Sequence, residues 1–143
     1  MADLKTARAL QTVARALSRI GRERARTGDI TPQQAEALQL IAERGAISTS
    51  SLADVLGIDP STASRNLAGL ERAGFIVRKR GAEDGRQTDV RLTPRGKRIA
   101  DTVSTDWTLA YTSILDRLPR PERQRVAETL EMLARVLDGE GAN

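Results

Sequence analysis

Residues 52–73 read Leu52-Ala53-Asp54-Val55-Leu56-Gly57-Ile58-Asp59-Pro60-Ser61-Thr62-Ala63-Ser64-Arg65-Asn66-Leu67-Ala68-Gly69-Leu70-Glu71-Arg72-Ala73. A short helix containing Leu52, Val55 and Leu56 ends at Gly57, and Asp59-Pro60 opens a second. The aspartate oxygen accepts an orphan amide of the first turn, and Pro at the first helical position lacks the amide that would be orphaned. The second helix runs to Ala73 and is stopped by Gly74. At 100° per residue Ala63, Leu67 and Leu70 share one face, and Ser61, Thr62, Arg65, Gly69 and Arg72 occupy the opposite one. The first face packs and the second is free to meet a partner. A short helix, a tight break and a second helix opening on small hydroxyl residues make a helix-turn-helix.

Outward from this pair, Phe75 to Arg80 is β-branched and aromatic, and Gln87 to Leu92 alternates polar with apolar residues through Val90 and Leu92. The turn-rich Gly81-Ala82-Glu83-Asp84-Gly85-Arg86 between them predicts a two-stranded hairpin with an exposed tip. Upstream, Thr31-Pro32 and the capping-box spacing Thr31 to Gln34 start a helix that carries Ala35, Leu38 and Ile41 and stops at Gly45. A short extended Ile47 follows, and Ser48 or Thr49 caps the next helix. Thr93-Pro94 opens a long helix with Ile99, Val103, Trp107, Ala110, Ile114 and Leu118 in phase, broken by Pro119 and Pro121.

The chain ends hold two more amphipathic helices. Leu10, Val13, Leu17 and Ile20 line the first, which is expected to end near Gly21; Val126, Leu130, Leu133 and Leu137 line the last. The centre is too small to bury both stripes, so they are expected to pack together within and between chains. The expected organisation is a single unit over 1–143, with a helix-turn-helix and hairpin region at about 30–98 and helical dimerisation regions at about 1–26 and 99–138. Leu10, Val13, Leu17, Leu130, Leu133 and Leu137 are the candidate dimer contacts.

Composition removes whole classes of chemistry. There is no Cys and no His, which excludes disulfides, thiol nucleophiles, Ser-His dyads and nearly all zinc chemistry. The acids are scattered, and no Gly-rich phosphate loop is present, so the chain reads as a non-enzyme with no cofactor and no metal. No apolar run approaches a membrane span or a signal segment, and a cytoplasmic location is expected.

Charge is local. Residues 59–98 hold ten Lys or Arg against five Asp or Glu, a net of +5, whereas the whole chain nets +4. A concentrated basic surface is the footprint of a polyanion site. On the second helix, small residues permit entry into a major groove, where Ser61, Thr62 and Ser64 can bond base edges or phosphates and Arg65 can fork onto guanine; the positive helix end favours a phosphate. Arg78, Lys79 and Arg80 lead to a hairpin tip where Arg86, paired with Asp84, fits a narrow minor groove. The competing readings are a solvated basic face and a non-catalytic winged-helix module that docks a protein partner.

Asp59-Pro60-Ser61-Thr62-Ala63-Ser64-Arg65, Leu70-Glu71-Arg72-Ala73-Gly74-Phe75-Ile76, Asp84-Gly85-Arg86 and Val90-Arg91-Leu92-Thr93-Pro94-Arg95-Gly96 together resemble the MarR-family core in order and spacing. The Asp-x-Arg followed by Leu-Thr-x-x-Gly is the specific part. The resemblance implies a mainly α (α+β) winged helix-turn-helix with N- and C-terminal dimerisation helices. Such a homodimer binds double-stranded, pseudo-palindromic operators, usually as a repressor. It puts Ser61, Thr62, Ser64 and Arg65 on the recognition helix, and Asp84 and Arg86 on the wing. Many family members release DNA when a small phenolic or anionic effector enters a crevice between the two regions; others use a reactive Cys, which this chain lacks. Trp107 and Tyr111, one turn apart in sequence, are candidates to line such a crevice, with core or interface packing as their alternative role.

Overall fold

The computed structural model describes residues 3–24, 30–80 and 88–139. In chain order the elements are α1 (Leu4–Arg24), α2 (Pro32–Arg44), β1 (Ile47–Ser48), α3 (Thr49–Leu56), α4 (Pro60–Arg72), β2 (Ile76–Arg80), β3 (Thr88–Leu92), α5 (Pro94–Leu115) and α6 (Arg120–Leu137). The fold is mainly α with one small sheet. The chain divides into two compact units, residues 1–107 and 108–143, with the boundary falling within the span of α5.

Local chemistry sets the helix starts of the first unit. Thr31 Oγ1 accepts from the Gln34 amide at 3.2 Å while Gln34 Oε1 accepts from the Thr31 amide at 3.0 Å, a reciprocal capping box. Ser48 caps α3 through the Ser51 amide at 3.1 Å. Gly57 takes φ 64°, a left-handed conformation that costs glycine little, and so turns the chain from α3 towards α4. Ala63, Leu67 and Leu70 of α4 are buried as their spacing predicts, in a core with Leu38, Ile41, Leu52, Ile76, Val90 and Val103. Val55 does not join them and is exposed.

The sheet exceeds the expected hairpin. It has three antiparallel strands in the order β1-β3-β2, because Ile47 pairs with Val90 and Ser48 with Asp89 beside the β2–β3 register of Ile76 with Leu92 through Arg80 with Thr88. Ile47 thereby joins the core. Where β3 gives way to α5, the Leu-Thr-x-x-Gly motif acquires a physical meaning. The Thr93 hydroxyl donates to the Gly74 carbonyl at 2.6 Å and accepts from the Gly96 amide at 3.0 Å, and the Thr93 amide donates to the Phe75 carbonyl. Gly96 lies so close to that carbonyl that a Cβ would overlap its oxygen and sit 2.8 Å from its carbon. The Arg95 guanidinium stands 5.1 Å from the Phe75 ring centroid, within cation–π range.

The first helix departs from expectation. Gly21 does not end α1, which continues to Arg24. An interior glycine costs about 1 kcal/mol relative to Ala, and a tertiary contact offsets it here: the Trp107 indole N–H donates to the Gly21 carbonyl at 3.3 Å. In the second unit, α5 ends at Leu115, before Leu118, which falls in the turn. Arg123 holds that turn, donating from Nε to the Leu118 carbonyl at 3.1 Å and from Nη2 to the Asp116 carbonyl at 2.6 Å. Pro121 does not break a helix; it sits in the first turn of α6. No described residue of α1 or α6 is buried.

Candidate nucleic-acid interface

Asp59 organises the start of α4. Its carboxylate accepts the Thr62 amide at 2.9 Å, the Thr62 hydroxyl at 2.7 Å and the Ser61 hydroxyl. Those bonds, that of Ser61 first and those of Thr62 next, hold the Asp59 carboxyl well below the usual carboxylate range. The positive helix end therefore already faces the Asp59 carboxylate, which offsets part of the attraction it would exert on a phosphate. Arg65 Nη2 donates to Thr62 Oγ1 at 3.3 Å, which directs the guanidinium along the exposed face. Ser61, Ser64 and Arg65 are exposed and Thr62 half-buried. The structure thus brings together all four candidate residues of this helix.

Gly69 is not part of the open face. A Cβ there would lie 2.7 Å from Gln34 Nε2, and Gln33 Oε1 accepts from Asn66 Nδ2 at 3.1 Å. The start of α2 thus rests on the middle of α4 and leaves its first turns open.

The wing strands divide their charges. Arg78 is half-buried and bound to Glu71 of α4, with Nη2 at 3.3 Å from Oε1 and Nε at 3.4 Å from Oε2. The two-pronged pair joins the last turn of α4 to β2. Lys79 and Arg80 remain exposed, with Asp89 opposite Lys79 in the ladder. Asp84 and Arg86 lie outside the described residues. Beside the open face of α4 is a cleft of about 370 Å³ lined by Ser48, Thr49, Ser50, Pro60, Ser64, Arg78 and Thr88. Its lining is rich in hydroxyls, and its guanidinium, that of Arg78, is already paired with Glu71. Sequence reasoning did not single out Ser48, Ser50 and Thr88, which line this cleft; the run Ser48-Thr49-Ser50-Ser51 was read only as a cap, and Thr88 only as part of a strand.

The remaining candidates sit elsewhere. Trp107 is half-buried with its indole N–H committed to Gly21, and it packs against the core of the first unit. Tyr111 belongs to the second unit, where it is half-buried. Leu10, Val13, Leu17, Leu130 and Leu137 are exposed and Leu133 is half-buried.

A helix-turn-helix with an open polar helix and a basic antiparallel wing defines a winged-helix DNA-binding protein. Comparison with known proteins agrees. The MarR family profile matches residues 30–88. The HTH-type transcriptional regulator YfiV of Bacillus subtilis is 31% identical over 110 residues, which cover 77% of this chain and 69% of that protein. Wild-type apo MarR of E. coli matches with a TM-score of 0.78 and 25% identity over 96% of this chain and 98% of that one. A MepR variant of S. aureus, solved bound to an oligodeoxyribonucleotide, matches with a TM-score of 0.61 and 18% identity over 94% and 99%. The chain belongs to the MarR family, and it is a DNA-binding transcriptional regulator.

Proposed function

We propose that this regulator is a homodimeric repressor that reads a pseudo-palindromic operator. The open face of α4 carries the reading: Ser61, Thr62, Ser64 and Arg65 project from a helix whose other side is locked into the core by Ala63, Leu67 and Leu70. Rigid support of this kind lets a short side chain discriminate base edges. In this reading α4 lies in the major groove with Arg65 forked onto a guanine. Arg86 enters the neighbouring minor groove with Asp84 directing it, and Lys79 and Arg80 lie along phosphates. Arg78 acts through Glu71 to hold the wing to α4. The apolar stripes of the terminal helices pair the two copies, placing half-sites about one helical turn apart or a multiple of it. The protein works in the cytoplasm, performs no catalysis, and releases DNA when a small aromatic or anionic effector binds, with Trp107 and Tyr111 as candidate contacts.

The test compares Arg65→Ala and Arg86→Ala on a panel of single-base operator changes, each variant first shown to be folded and dimeric. Arg65→Ala should lose about 1–3 kcal/mol of discrimination at one position per half-site. Arg86→Ala should weaken binding evenly, with lost preference confined to A·T-rich flanks. Parental binding by Arg86→Ala overturns the wing assignment, and equal loss on every sequence by Arg65→Ala makes that residue a phosphate contact.

A further inference from the structure

The hydroxyls at the start of α4 are not equivalent. A hydroxyl has one proton to donate and two lone pairs. Ser61 and Thr62 both bond the Asp59 carboxylate, and an ionised carboxylate only accepts, so both hydroxyls spend their proton on it. These are charge-assisted bonds, stronger than any neutral contact that would compete for the same proton. Thr62 Oγ1 uses one lone pair on Arg65 as well. Ser64, two residues further along, has no hydrogen-bond partner among the described residues. Asp59 is ionised at neutral pH, the form that accepts both protons.

We infer that Asp59 sets the hydrogen-bond polarity of the reading helix: it turns the Ser61 and Thr62 protons inward, so that these residues meet DNA as acceptors, while Ser64 keeps its proton for an acceptor on DNA. In the major groove the base-edge donors are the amino groups at adenine N6 and cytosine N4, whereas guanine N7 and O6, adenine N7 and thymine O4 accept. The base facing Ser61 or Thr62 is therefore adenine or cytosine, selected by its amino group. Asp59 touches no base in this scheme; it is a positioning residue that determines specificity through its neighbours. The inference rests on α4 occupying the major groove.

The experiment uses the full-length protein and an operator selected from randomised DNA. Adenines of each half-site are replaced one at a time by purine, which lacks the 6-amino group, or by 7-deazaadenine, which lacks the N7 acceptor; cytosines are replaced by pyrimidin-2-one, which lacks the 4-amino group. Each duplex is titrated with the parent, Ser61→Ala, Thr62→Val and Asp59→Asn. At the position a hydroxyl reads, loss of the amino group should cost the parent about two- to tenfold in affinity and cost the corresponding hydroxyl variant nothing more. The 7-deazaadenine duplex should penalise parent and variant alike. Asp59→Asn keeps a capping oxygen, and a repeat selection with it should move the preference at that position towards thymine or guanine. A purely structural loss would weaken all duplexes equally. Coupling of Ser61 or Thr62 to the N7 deletion, or an unchanged preference in Asp59→Asn, overturns the inference while leaving α4 in the groove. If Arg65→Ala, Ser61→Ala and Ser64→Ala all bind every duplex as the parent does, the groove placement fails and the inference falls with it.

Discussion

The segment from Ile30 to Val103 and the helices α1 and α6 solve the burial problem differently. The first encloses most of its apolar side chains, with Leu38, Ile41, Leu52 and Leu67 fully buried, and fixes its helix starts with side-chain caps. The terminal helices have comparable apolar stripes but leave Leu10 54%, Leu130 46% and Leu137 82% exposed. A stripe of that kind is what the proposed dimer would cover. The contrast teaches that the segment holding α4 and the wing strands is packed within one chain, whereas the terminal helices, on the proposed dimer, would complete their burial only by association. Substitutions in the two regions should therefore fail in different ways.

The largest effect is expected inside the complete region. Gly96→Ala places a methyl group against the Phe75 carbonyl at the junction of wing and α5, where backbone faces backbone and no rotamer change relieves the clash. It should destabilise by on the order of 3–5 kcal/mol, read as a fall in the denaturant midpoint with dimerisation and DNA binding lost together. A parental midpoint would show that the wing-to-α5 junction gives way more easily than its geometry indicates.

Next comes association. Leu133→Asp puts a carboxylate on the α6 stripe, and in a two-fold interface each copy contributes one. An uncompensated charge buried there costs about 3 kcal/mol or more, so the dimer constant should weaken at least roughly 100-fold. Light scattering should report monomer, and far-ultraviolet dichroism should stay near parental because α6 contributes no fully buried residue to its unit. A stable dimer would remove Leu133 from the interface.

How much of this was legible in the sequence follows the range of the interactions. The caps at Thr31, Ser48 and Asp59 and the buried face of α4 depend on residues three or four apart, and sequence spacing displays them directly. Ile47 pairing with Val90, Gln33 with Asn66, and Trp107 with Gly21 depend on chain segments 33 to 86 residues apart; local pattern is silent on these. The continuation of α1 past Gly21 was missed for this reason. On α4 the exposed placement of Ser61 and Arg65 was legible from helical phase, and that of Ser64 only from the run of small hydroxyl residues that opens the helix. The role of Arg78 was not, since its partner Glu71 is met only when β2 folds back along α4, and Asp84 and Arg86 lie outside the described residues.

A milder loss separates caps from core. Thr31→Ala removes the capping box of α2 and should cost about 1 kcal/mol, measured by denaturant melt. The dimer constant should not change, because the box lies in the region that is complete within one chain. A shift in association would mean that the two regions are coupled through α2.

The smallest stability effect, and the finest probe of the complete region, is expected at Glu71. The side chains of Arg78 and Glu71 are 25% and 43% exposed, and a pair that open to solvent is worth at most about 1 kcal/mol. Glu71→Gln should therefore hardly alter the melt. Its effect should appear on DNA, because the substitution releases the Arg78 guanidinium at the edge of the hydroxyl-lined cleft beside α4. Each phosphate newly neutralised steepens the dependence of log K on log salt by about 0.9, so a dimer that gains one contact per chain should steepen by nearly twice that. Arg78→Ala should leave the slope unchanged in the parent, where Glu71 already engages the guanidinium, and should reverse the steepening in the Glu71→Gln background. Loss of salt dependence on Arg78→Ala in the parent would instead show that Arg78 leaves Glu71 for a phosphate when DNA binds, making the pair a contact that the operator breaks.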